Sequence, residues 1–121
     1  MTRRILLVED HEDNRRILRD LLSRAGFELI EAEDGEQGLA AAVAHHPDLI
    51  LMDIQMPVLD GYETTRLIKA DPMLRAIPVI AVTSYALSGD ESKAREAGCD
   101  DYVTKPFSPK ALLAKVREYL P

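Results

Sequence analysis

Residues 49–53 read Leu49-Ile50-Leu51-Met52-Asp53, four consecutive apolar side chains followed by an acid. Two similar runs, Ile5 to Val8 and Val79 to Val82, also end at polar residues. Each run has the length of a strand and lacks polar alternation, which is typical of strands buried on both faces of a parallel sheet. The three runs therefore predict the centre of such a sheet.

Two weaker apolar runs are predicted to complete the sheet. Leu29-Ile30 lies between two glutamates, and Tyr102-Val103 follows two aspartates. Because charged residues adjoin these runs closely, we expect both strands nearer the edges.

The first segment between strands has the period of an amphipathic helix. Its apolar residues recur at helical spacing as far as Gly26, which supplies a stop, and charged residues fill the other side. The apolar side is predicted to hold Ile17, Leu18, Leu21, Leu22 and Ala25, and the solvent side Arg15, Arg16, Arg19 and Asp20.

Capping residues predict where other helices begin, because a side-chain oxygen can accept from the free N–H groups of a first turn. The predicted caps and helices are Asp34 for 35–45, Ser88 for 88–97, and Ser108, followed by a proline, for 108–120. A further helix over 62–70 should end at Asp71, because a residue before proline disfavours the helical conformation.

Strand and helix alternate five times, with no linker, repeat or low-complexity segment. This alternation predicts an α/β fold with a doubly wound parallel sheet between helices, formed as one domain over residues 1–121. Open sheets of this kind bind ligands outside the carboxyl ends of their strands. The residues just after each apolar run are therefore the candidate site.

Composition narrows the function class. The net charge is −6 at pH 7, so we expect the protein to lack the basic surface that direct nucleic-acid binding needs. No apolar stretch is long enough for a signal peptide or membrane span, so we expect no membrane partner and a cytoplasmic protein. The single Cys99 has no disulfide partner and no zinc-ligand spacing around it, and it is predicted to be structural.

Polar residues follow four of the five predicted strands. They are Glu9 and Asp10 after the first, Asp53 after the third, Thr83 and Ser84 after the fourth, and Thr104 and Lys105 after the fifth. If the three acids converge, either one stays protonated or a hard divalent cation binds among them. Mg²⁺, which uses carboxylates, retained waters and a phosphate, explains three acids better.

This set of residues suits phosphoryl transfer. A carboxylate beside Mg²⁺ and a lysine can attack a phosphoryl group while the cations neutralise charge on its equatorial oxygens. Asp53 is the candidate nucleophile and Lys105 the candidate ammonium. The hydroxyl of Thr83 could then report the phosphoryl group by donating to one of its oxygens.

Several short motifs, in order and at matching spacing, resemble the CheY-like receiver domain of bacterial response regulators. They are Glu9-Asp10, Leu49 to Asp53 with Met56-Pro57 and Asp60-Gly61, Val82-Thr83-Ser84, and Tyr102 to Pro106. The resemblance covers essentially the whole chain. It implies a flavodoxin-like fold with five helices and five strands in the order 2-1-3-4-5.

The resemblance also implies the ligands of one Mg²⁺ ion. Asp10 and Asp53 would bind it directly, Glu9 through water, and Gln55 through its backbone carbonyl. Glu9 stands where aspartate is commoner in the family, and its longer side chain can still hold a water-mediated position. Lys105 would pair with the phosphoryl group.

The implied function is a phosphorelay switch. Asp53 would take a phosphoryl group from a histidine kinase or histidine phosphotransfer protein. Thr83 would then move toward the phosphate and Tyr102 turn inward, remodelling the surface over 84–109 that a downstream regulatory protein or kinase reads. The sequence resembles stand-alone receivers of the DivK kind, monomeric or weakly dimeric, although a receiver excised from a hybrid histidine kinase would look similar.

Two other functions fit part of this pattern. A Mg²⁺-dependent phosphohydrolase of the haloacid dehalogenase type also forms an aspartyl phosphate, but it carries a second aspartate where this chain has Gln55, and an amide cannot transfer protons. We therefore expect no enzyme beyond self-phosphorylation and slow self-dephosphorylation. In a flavin-binding protein, Glu9 and Asp10 would repel the phosphate of the cofactor.

Overall fold

The structure, a computed structural model, describes residues 2–54, 56, 59–83, 90–104 and 108–121. Within these residues, strands and helices alternate in the predicted order. The strands are β1 (Arg4–Val8), β2 (Glu28–Ala32), β3 (Leu49–Asp53), β4 (Val79–Thr83) and β5 (Asp101–Thr104). The helices are α1 (Glu12–Arg24), α2 (Gly35–His45), α3 (Gly61–Ala70), α4 (Asp90–Ala97) and α5 (Pro109–Tyr119).

The described strands form one parallel sheet in the order β2-β1-β3-β4-β5. This confirms the predicted order and places the two weaker runs at the edges. The chain leaves β1 toward one edge and returns to its other side at β3, so the winding reverses between these two strands. Such a reversal opens a crevice at the carboxyl ends of the strands, where ligands of open α/β sheets bind.

The hydrophobic core lies on both faces of the sheet. Alternate residues of the central strands enter different clusters: Leu6 and Ile50 pack on one face, Leu7 and Leu51 on the other. All residues of β3 and β4 are buried. Burial on both faces explains why these strands are continuous apolar runs. It also holds the carboxyl ends of the strands, which form the carboxyl edge of the sheet, in fixed positions.

Two predicted N-caps are confirmed. Asp34 accepts from the backbone N–H of Gln37 at 2.8 Å and begins α2, and Ser108 accepts from that of Ala111 at 2.9 Å and begins α5. The predicted cap Ser88 lies outside the described residues. The cap of α3 was missed: Asp60 accepts from the N–H of Glu63 at 2.9 Å.

The predicted orientation of α1 is wrong at two positions. Arg15, predicted to face solvent, is buried, and Ile17, predicted in the core, is 58% exposed. Arg15 lies at the start of the helix, where a backbone carbonyl and several carboxylates surround its guanidinium. Ile17 instead lines an open groove between α1 and α5 together with Leu21 and Leu113.

Cys99 has the surroundings expected of a structural thiol. Its side chain is buried, with Sγ 3.8 Å from the hydroxyl oxygen of Thr65. Burial raises the pKa of the thiol. Among the described residues, none of the helices has the length and apolar character that a membrane crossing requires.

Replacing Asp34 with alanine should lower the free energy of unfolding by about 1 kcal/mol, because the N–H of Gln37 loses its acceptor. Asp34→Asn retains an acceptor oxygen and should cost only a fraction of that. Urea unfolding followed by circular dichroism measures both. Equal losses in the two variants would contradict the capping role.

Candidate functional site

The register of the central strands brings the predicted acids together. Val8 is the partner of Met52 in the β1–β3 pair, so Glu9 and Asp10 leave β1 beside the end of β3, where Asp53 lies. In the next pair, Asp53 is opposite Val82. The sheet thus places three acids on adjacent strand ends, as the sequence predicted.

Glu9, Asp10 and Asp53 form an acidic cluster. One carboxylate oxygen from each lies within 4.8 Å of the others. Glu9 and Asp53 are 2% and 4% exposed, whereas Asp10 is half-buried. At that separation, two unit charges repel by about 3.5 kcal/mol at an effective dielectric of about 20. Three ionised carboxylates here need an opposing charge.

Backbone hydrogen bonds hold the strand ends in place. The N–H of Glu9 donates to the carbonyl of Ala32 at 3.1 Å, and the N–H of Asp10 donates to Oε2 of Glu9 at 3.1 Å. On the β3 side, the N–H of Ile54 donates to the carbonyl of Val82 at 3.1 Å. Both acid-bearing segments are therefore tied to neighbouring strands.

Gly61 lets the first turn of α3 press against the end of β3. A Cβ at this position would lie 2.3 Å from the carbonyl oxygen of Asp53 and 2.8 Å from Cα of Ile54. Real Cβ atoms essentially never come that close, so the packing requires glycine. The backbone of Asp53 is thereby held against a helix as well as against the sheet.

The acidic cluster has the ligand atoms that a hard divalent cation needs. Oδ1 of Asp10 is buried and, among the described residues, has no hydrogen-bond partner. A buried carboxylate oxygen without a donor is costly, and a bound cation would satisfy it. The ligand atoms are carboxylate oxygens, which Mg²⁺ prefers. The residues present therefore fit the predicted metal.

The predicted switch residues lie on the two strands beyond β3. Thr83 ends β4, is 1% exposed, and is opposite Thr104 of β5. Tyr102 lies two residues earlier on β5, is half-buried, and packs against one of the two core clusters. Thr83 thus follows the residue that pairs with Asp53, and Tyr102 lies one strand further from the acids.

Some predicted site residues lie outside the described part of the chain. They are Gln55, Ser84 and Lys105, together with part of the predicted output surface over 84–109. Sequence reasoning also missed Arg15, whose guanidinium donates to the carbonyl of Glu9 at 2.9 Å. The sequence shows only that an arginine follows the two acids of a strand end by five residues, and this spacing does not predict burial.

The sequence matches the family described as the response regulator receiver domain over residues 5–117. The chain belongs to this family. It is therefore a receiver domain of two-component, phosphorelay signalling, as the motifs predicted. Receiver domains bind Mg²⁺ at an acidic site and interact with histidine kinases and downstream effectors.

Relatives at high coverage agree with this assignment. The receiver is 46% identical over 120 residues to the polar-differentiation response regulator DivK of Brucella ovis, covering 99% of this chain and 98% of that protein. The DivK of Brucella anthropi is 44% identical over the same length, again with 99% of this chain and 98% of that protein covered.

Solved structures with the same fold include two informative neighbours. The receiver domain of a sensor histidine kinase from Pseudomonas aeruginosa PAO1 has a TM-score of 0.92 and 38% identity, covering 99% of this chain and 98% of that one. That protein has a magnesium ion coordinated in its active site cleft. The chemotaxis protein CheY4 of Vibrio cholerae has a TM-score of 0.93 and 26% identity, with 98% and 99% covered.

In metal-free buffer, Asp10→Asn should raise the free energy of unfolding by about 1–3 kcal/mol, because it relieves repulsion within the acidic cluster. The same change should abolish most of the stabilisation that Mg²⁺ gives wild type. Thermal unfolding with and without Mg²⁺ measures both effects.

The matched control is Asp13→Asn, since Asp13 is an exposed acid in the first turn of α1, three residues after Asp10 and outside the acidic cluster. It should leave both quantities nearly unchanged. A metal-free Asp10→Asn protein less stable than wild type would contradict the repulsion.

Proposed function

We propose that this receiver accepts a phosphoryl group on Asp53 from the phosphohistidine of a histidine kinase or phosphotransfer protein. The observation that carries the proposal is the convergence of Glu9 and Asp10 on Asp53 at the carboxyl edge of the sheet. A buried carboxylate among others is disfavoured unless positive charge accompanies it, and a phosphoryl-transfer site brings such charge.

The transfer follows from what Asp53 can do. An oxygen of its carboxylate attacks phosphorus, a new O–P bond forms, and the N–P bond of the phosphohistidine breaks. The electron pair of that bond returns to the imidazole nitrogen. The contacts of the Asp53 backbone with β4 and with Gly61 hold the residue that carries the attacking oxygen, so less orientational freedom is lost on reaction.

One Mg²⁺ is the proposed cofactor. Asp10 and Asp53 would be its direct ligands, Glu9 would act through water, and the backbone carbonyl of Gln55 would complete the protein ligands. When bound, the ion neutralises charge on the phosphoryl oxygens. The buried Oδ1 of Asp10, which has no hydrogen-bond partner among the described residues, supports this assignment, as does the magnesium in the cleft of the Pseudomonas neighbour. Lys105 is proposed to pair with the phosphoryl group.

The receiver is proposed to signal by shifting between two conformations that differ in how side chains pack around β4 and β5. The hydroxyl of Thr83 donates to a phosphoryl oxygen, and Tyr102 turns further into the core, which changes the surface over 84–109. The burial of Thr83 next to the strand end of Asp53 and the partial exposure of Tyr102 support this order of events.

The whole of 1–121 is proposed to act as one receiver in the cytoplasm, monomeric or weakly dimeric, that signals by contact with a regulatory protein or kinase. Its proposed chemistry is limited to its own phosphorylation and slow dephosphorylation. The acidic net charge agrees with a protein rather than a nucleic acid as the partner read by the switch.

Incubation with Mg²⁺ and a small acyl phosphate should add one phosphoryl group to wild type, acid-stable and base-labile, detected by intact-protein mass spectrometry. Asp53→Asn should remove the labelling, because an amide oxygen is a poor nucleophile. Asp20→Asn, an exposed acid on α1, is the matched control and should label like wild type.

Undiminished labelling of Asp53→Asn would refute the assignment of the acceptor. Sustained release of phosphate from small phosphoesters at many turnovers per chain would instead favour a phosphohydrolase.

A further inference from the structure

Arg15 is a buried cation next to the acidic cluster. It is 7% exposed, although arginine is almost never fully buried unless paired. Three glutamates surround the guanidinium: Glu12 by a direct hydrogen bond, and Glu33 and Glu31 at 3.5 and 3.6 Å. These contacts offset the charge of Arg15 and fix the plane of its guanidinium.

A further guanidinium contact is with the site itself. Nη1 of Arg15 donates to the backbone carbonyl of Glu9 at 2.9 Å, in a buried hydrogen bond. That carbonyl belongs to the same peptide unit as the N–H of Asp10, which donates to Oε2 of Glu9. Because a peptide unit is planar, fixing its carbonyl also fixes the direction of its N–H. Arg15 therefore acts on the positions of both acids.

We infer that Arg15 is a positioning residue of the metal site: it locks the Glu9–Asp10 peptide so that both carboxylates face Asp53. The inference rests on the proposed function, since it concerns binding of Mg²⁺ at that site. Arg15 does not touch the metal ligands' carboxylates in the described contacts; it acts through the backbone that carries them.

The charge of Arg15 and the peptide geometry that it fixes predict opposite changes in Mg²⁺ affinity when the residue is replaced. Arg15 adds a positive charge near the cation site, so by Coulomb's law alone its removal would tighten Mg²⁺ binding. Loss of the fixed peptide would weaken it, and removing such supporting contacts commonly costs at least tenfold in metal affinity. We expect geometry to prevail because the three glutamates already offset the charge.

The test is calorimetric titration of the folded proteins with Mg²⁺. Arg15→Lys keeps the buried charge but has no planar fork to hold both Glu9 and Glu12, and Arg15→Met removes the charge as well. Both should bind Mg²⁺ roughly tenfold more weakly than wild type. In the metal-free state, the amide hydrogen of Asp10 should exchange severalfold faster in Arg15→Lys.

Arg19→Met is the matched control. Arg19 lies one turn further along α1 and pairs with Glu31 and Glu12, two of the same carboxylates, but its described contacts do not include Glu9. Its loss removes the same charge and should leave Mg²⁺ affinity within about twofold of wild type, because Arg19 is only half-buried and water screens its charge more than that of Arg15.

The outcomes separate this inference from the proposed function. Wild-type affinity in Arg15→Lys, or tighter binding in Arg15→Met, would overturn the positioning role while leaving the metal site intact. Weakening of Arg19→Met to the same degree would also overturn it, because the effect would then belong to the charge network. Absence of Mg²⁺ binding in wild type would overturn the proposed site and this inference together.

Discussion

Three carboxylates that repel one another lie together at one edge of the sheet, and the rest of the structure has to hold them there. Glu9, Asp10 and Asp53 approach one another because β1 and β3 are neighbours and end at the same edge of a parallel sheet. By Coulomb's law, gathering like charges in this way costs free energy that a nearby cation offsets. The cost makes sense if the site exists to receive cations and a phosphoryl group.

Packing and hydrogen bonds on both sides of the site hold the three acids together despite that repulsion. Strands β3 and β4 are buried along their whole length, and the close contact of Gly61 with the carbonyl of Asp53 keeps the acid-bearing strand end in place. On the other side, Arg15 and the strand contact of Glu9 with Ala32 hold the β1 end. A rigid edge of this kind can keep acids together that would otherwise separate.

The fold could be predicted from the sequence because its signals are local. Apolar runs of strand length, a capping Asp34 and a proline after Asp71 each act within a few residues, and the family resemblance supplied the strand order. The environment of Arg15 could not be predicted in the same way, because its partner Glu33 is 18 residues distant and a charged residue ordinarily faces water. Ile17 was misplaced for the converse reason, since helical period alone cannot tell a core face from an exposed groove.

Manganese, used in place of Mg²⁺, offers the most direct measurement of the central claim. Bound Mn²⁺ broadens the NMR signals of nearby amides. If the acidic cluster binds the ion, the signals of Asp10, Asp53 and Ile54 are lost selectively at low Mn²⁺ concentration, while those of Arg4 and Glu28, at the opposite end of the sheet, persist. Broadening centred on any other group of acids, or none near Asp53, would contradict this claim.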